Sequence, residues 1–151
     1  MAILNTDISV SQKSGLLKDR VANSQNTSGR LMRASALYTT TGLEASGDVI
    51  DAMALPIGAI LHADQCRVST DGTGGTSPVV SQIGDAANGA RYSSTSITLA
   101  AGTVAVTPVT ANKVTPYSIT AGNEIIKATI TFTGSLTAGK LIRFDLAYLI
   151  P

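Results

Sequence analysis

The sequence predicts an all-β protein, an antiparallel jelly-roll-like β-sandwich preceded by an extended N-terminal arm. Three observations carry this. From Arg33 onward apolar residues recur with period two rather than 3.6. Clusters of Gly, Pro, Asn and Asp cut the alternation into short runs. No long helical stripe exists to cover a sheet, so two sheets must cover each other. Repeats of fixed period are absent, which argues against a propeller or solenoid.

Residues 1–32 form the arm and residues 33–151 the sandwich domain. The arm is rich in Ser, Asn, Gln and Lys and poor in apolar residues. Ser14 is a candidate cap for a short helix with Leu17 and Val21 on one face. One or two turns are marginal alone, so the arm is expected to order on contact, extended or partly helical. Fully extended, such a segment reaches on the order of 100 Å.

In the body, Ala34, Ala36 and Tyr38 alternate with Arg33, Ser35 and Leu37. A second run, Val49 to Leu55, stops at Pro56, and a third is expected from Ile57 to about Ser69. Residues 71–76 read as a flexible loop, because their glycines favour neither helix nor strand. Val79 to Ile83 is a short strand, and residues 86–95 are a connection. Ile97 to Leu99 and Val104 to Val106 read as the two arms of a hairpin. Ala128, Ile130 and Phe132 alternate with threonines. Finally Ile142, Phe144, Leu146, Tyr148 and Ile150 line one face, with Arg143, Asp145 and Ala147 opposite. Five large side chains on one face predict a central strand, each fully buried aliphatic stabilising by roughly 1.5–3 kcal/mol.

Composition excludes several function classes. Charged residues make up 14% of the 151, and Ser and Thr fill the polar positions, a surface suited to lasting protein contact. Net charge is +1, which points to neither nucleic acid nor membrane. The charge is uneven. Residues 1–33 hold five bases against two acids, a local +3 that leaves −2 for the rest. Cys66 is the single cysteine, so no intrachain disulfide forms. No stretch approaches the 18 apolar residues of a membrane span, and the N-terminus lacks a signal-peptide pattern.

Chemistry-bearing patterns are weak. His62 is the single histidine, and no Gly-x-Ser-x-Gly elbow accompanies the serines. His62 and Cys66 on one extended strand would stand about 13 Å apart, too far for a nucleophile and its base or a shared zinc ion. Residues 72–77 lack the Lys-Ser/Thr of a phosphate loop. The aspartates do not follow calcium-loop spacing. A cupin would need several histidine ligands. No catalytic, cofactor or metal site is expected. Aromatics are 4% with no Trp, too few for the stacking platforms of single-stranded nucleic-acid binding.

The body also resembles the small head decoration or cement proteins of tailed phages. The resemblance lies in Tyr38-Thr39-Thr40-Thr41-Gly42 before Gly47-Asp48-Val49-Ile50, then Leu55-Pro56-Ile57-Gly58-Ala59. Gln82-Ile83-Gly84-Asp85 with Ala90-Arg91-Tyr92 follows, and the strand from Leu141 to Ile150 completes it. The arm lies outside the match. The resemblance implies a jelly-roll-like virion protein, made in the host cytoplasm and carried on the capsid exterior. It implies contact with several major capsid protein subunits and pairing with itself as a dimer or trimer. Many modest contacts would sum through multivalency. On that reading Lys13, Lys18, Arg20, Arg30 and Arg33 are candidates for contacting acidic capsid patches. The alternative is a tail-fibre or appendage module recognising a receptor or glycan.

Overall fold

A computed structural model describes residues 3–5, 30–109, 117–120 and 124–150, with side chains from residue 31 onward. Its strands are β1 (Ile3–Asn5), β2 (Arg30–Thr39), β3 (Val49–Leu55), β4 (Ile60–Leu61) and β5 (Arg67–Thr70). They continue as β6 (Thr76–Gly84), β7 (Ile97–Thr98), β8 (Gly102–Ala105), β9 (Glu124–Thr133) and β10 (Leu141–Ile150). The helical content among the described residues is a single 3-10 turn, Ala63–Gln65. The candidate helix around Leu17 lies outside the described residues.

Two sheets face each other. One has the order β1-β3-β9-β6-β7 and the other β2-β10-β5-β8, with β4 also on β10. Pairing is antiparallel except for β1 beside β3. From β2 onward the chain crosses repeatedly between the layers, and among the named strands only β6 and β7 are sequence neighbours that pair with each other. β10 is central, as five inward side chains require, and β9 is its counterpart in the other layer. Ile126, Ala128, Ile130 and Phe132 of β9 and Ile142, Phe144, Leu146 and Tyr148 of β10 are buried in one core cluster. In β3 a bulge between Asp51 and Met53 breaks strict alternation, so Ile50 and Met53 both register against inward residues of β9, Ala128 and Ile126, and Leu55 stands opposite Glu124.

Three expectations are corrected. Residues 97–106 are not a hairpin: β7 pairs with β6 and β8 with β5, so the chain crosses between layers at 99–101. The run from Ile57 to Ser69 is not one strand, because the 3-10 turn Ala63–Gln65 separates β4 from β5. His62 and Cys66 are therefore not held at strand spacing, and the Cys66 thiol donates to the His62 carbonyl at 3.3 Å. The glycine-rich loop at 71–75 is pinned. Thr73 is buried, with its amide on the Leu99 carbonyl and its carbonyl accepting from the Thr137 amide. Gly74, at φ +69°, lies so close to Thr137 that a Cβ would stand 2.3 Å from its hydroxyl oxygen.

Candidate interface

The period-two pattern that fills the core also defines the outer face of the β2-β10-β5-β8 sheet. Register sets its rows. At one end Leu31 of β2, Leu149 of β10 and Ile60 of β4 stand side by side. Next come Arg33 and Ala147, then Ser35, Asp145, Arg67 and Ala105. Leu37, Arg143, Ser69 and Thr103 follow, and Thr39 with Leu141 closes the face. Leu31 is 43% exposed and Leu141 40%, and the Leu37 side chain is exposed too.

The centre of this face is polar and preorganised. Arg143 donates from Nε to Asp145 at 2.8 Å and from a terminal nitrogen to the Ser35 hydroxyl at 3.1 Å. The Ser35 hydroxyl in turn donates to Asp145. Arg33 and Arg67 are exposed and make no ion pair among the described residues. Three arginines thus share the face with one aspartate. At the rim Lys140 and Asp71 approach to 4.0 Å and offset each other. The opposite sheet presents Thr129, Thr131 and Thr133 outward, with Lys127 on Asp51 at 2.5 Å. One layer therefore carries exposed leucine and arginine outward, and the other threonine, half-buried Val79 and Ile125, and a neutralised pair.

Two loop clusters stiffen the ends of the sandwich. At one end Leu43, 90% exposed, tops a loop folded around the Glu44 carboxylate. That carboxylate accepts from the Tyr38 hydroxyl at 2.6 Å, the Thr41 amide at 2.5 Å and the Gly42 amide at 2.9 Å. Burial opposes its charge, but these donors outweigh burial and hold its pKa below the ordinary carboxylate range. Burial, then Glu44, pushes the Tyr38 hydroxyl well up.

At the other end Asp85 is buried and accepts the Ala87 and Asn88 amides, each at 2.8 Å, and the Arg91 guanidinium. Arg91 also lies 4.1 Å from the Tyr117 ring centroid, and Tyr117 meets Tyr92 edge-on at 6.0 Å. Burial, followed by hydrogen bonding to Asp85, raises Glu124 to about 7. Asp85 is driven down despite burial, because Glu124, Arg91 and the two amides all donate to its charged form. Below about pH 7 the pair therefore holds one proton, kept on Glu124 and directed at the charged Asp85.

Cys66 serves the sheet. Where the 3-10 turn interrupts pairing along β10, the Ala147 amide donates to Sγ at 3.3 Å. Burial pushes the thiol up to about 11. No group of three or more His, Cys, Asp or Glu side chains is arranged to hold a metal among the described residues.

Of the residues singled out from sequence, Arg33 lies on the arginine–leucine face. Arg30 opens β2 with its side chain outside the description, and Lys13, Lys18 and Arg20 lie outside the described residues. Sequence reasoning passed over Arg67 and Arg143. The signal for Arg143 was present in β10, where Arg143 and Asp145 alternate against the core residues.

No family model matches the chain, and no curated protein does. Solved structures do. A chain from the capsid of Ralstonia phage GP4 superposes with a TM-score of 0.67 at 18% identity, covering 99% of both chains. A chain from the capsid asymmetric unit of cyanophage Pam1 gives 0.58 at 18% identity, over 83% of this chain and 89% of that one. The fold is shared with these chains.

Proposed function

We propose that the protein is a virion structural component of the decoration or cement type, which bridges and stabilises major capsid subunits from the outside. The observation that carries the proposal is the likeness to a chain of a phage capsid over 99% of each chain. The low charge content and the leucine–arginine face fit a life spent in protein contact. A role in adhesion asks for rigid loops and an adherent face rather than a reactive centre, and the braced loops around Glu44 and Asp85 provide rigidity.

Cross-linking mass spectrometry of native particles tests this. Cross-links between this chain and the major capsid protein are expected, and their absence from the shell overturns the proposal. The arm is proposed to add contacts through Lys13, Lys18, Arg20, Arg30 and Arg33. Changing Lys13, Lys18 and Arg20 to Glu in the full chain, which leaves β1, β2 and Leu31 in place, should give a folded protein with reduced occupancy on capsids, and undiminished occupancy rejects that role.

A further inference from the structure

We propose that the outer face of the β2-β10-β5-β8 sheet is the surface that docks on a different protein, one presenting carboxylates beside apolar sockets. This rests on the reading of the chain as a capsid component and names the surface and chemistry of that contact. Apolar side chains occur in two places on the face: Leu31, Leu149 and Ile60 in one row, and Leu141 with Leu37 toward the other end. Arg33 and Arg67 lie between them and Arg143 stands beside Leu37, with Asp145 the single acid in these rows. Arginine and exposed leucine together suit an interface whose anchors enter pockets while guanidinium forks meet carboxylates.

Charge selects the partner. Two copies of this face brought together about a two-fold axis would oppose arginines to arginines, and like charges across an interface are penalised. The threonine face of the other sheet offers no acidic excess, since Asp51 is taken by Lys127. A heterologous acidic surface satisfies both conditions. Nucleic acid would meet the arginines but leave the leucines unburied. The Ser35–Asp145–Arg143 network holds one arginine in place before binding, which lowers the ordering cost.

The test uses the full chain and shells assembled without it, with co-sedimentation as the readout. The variants are Arg33→Glu with Arg67→Glu, Leu31→Asp, Leu141→Ser and, on the opposite layer, Thr133→Glu. Circular dichroism and thermal melting verify folding for each. The arginine pair and the leucine variants are expected to bind about tenfold or more weakly, with Thr133→Glu unchanged. Folded face variants that bind like the wild type overturn the docking surface while leaving the capsid role intact. Wild type that does not bind shells overturns the capsid reading and the docking surface with it. Self-association abolished by Leu31→Asp would make a second copy the occupant. Retention on DNA abolished by the arginine changes would make it nucleic acid. Either result overturns the proposal.

Discussion

At the residue scale the informative groups are carboxylates buried at the loop ends. Glu44 fixes residues 41–44 by accepting from Tyr38, Thr41 and Gly42. Tyr38→Phe removes one donor to a charged, buried acceptor and should cost about 1.5–3 kcal/mol in urea unfolding. An unchanged midpoint would show that water replaces the hydroxyl. Glu124 behaves oppositely. Its folded value near 7 exceeds the ordinary 4.5, so its contribution is complete below about pH 4.5 and lost as pH rises through 7. Asp85, driven down, contributes above its ordinary 3.8 and loses that as pH falls through its folded value. Urea unfolding of Glu124→Gln between pH 5 and 8 should therefore show a shallower decline than wild type. Parallel profiles would rule out the proton held on Glu124. None of this was legible in the sequence. Asp85 and Arg91 stand six residues apart, but Glu124 opens a distant strand, and only the meeting of that strand with the loop at one end of the sandwich brings the two carboxyls together.

At the element scale, legibility followed strand length. Leu141–Ile150 has ten residues, enough to establish alternation, and Val49–Leu55 is a seven-residue apolar run closed by Pro56; the structure keeps both bounds. β7 and β4 have two residues each, too few for a period, so their partners come from tertiary packing. That is why residues 97–106 read as a hairpin although the chain changes layers there. The break between β4 and β5 has a physical remedy in Cys66, whose sulfur accepts the Ala147 amide. Cys66→Ala orphans that amide and should cost about 1–3 kcal/mol, with Cys66→Ser closer to wild type because an acceptor remains. Equal loss in both variants would assign the effect to packing instead. Gly84, at the end of β6, approaches the next loop so closely that a Cβ would sit 2.1 Å from the Asn88 carbonyl oxygen. The clash is with backbone, so Gly84→Ala should destabilise by about 3 kcal/mol or more. A neutral result in thermal melts would mean that residues 85–90 move freely.

At the scale of the whole molecule, the two layers differ in what they turn outward, and on the proposed docking that asymmetry divides the kinetics of binding into two parts. Arg33, Arg67 and Arg143 lie on an exposed face, where their field reaches a partner before contact and is screened beyond roughly 10 Å at 0.1 M salt. Leu31 and Leu141 act only after contact, once water is expelled from around them. Association with shells should slow as salt rises, and Arg33→Glu with Arg67→Glu should slow it at low salt while flattening the salt dependence. Leu31→Asp should leave association near the wild-type rate and shorten the bound lifetime. Surface plasmon resonance on immobilised shells at several salt concentrations resolves the two rates. If the arginine changes altered only dissociation, those side chains would be buried contacts rather than a steering field. If Leu31→Asp altered only association, the leucine row would lie outside the final contact.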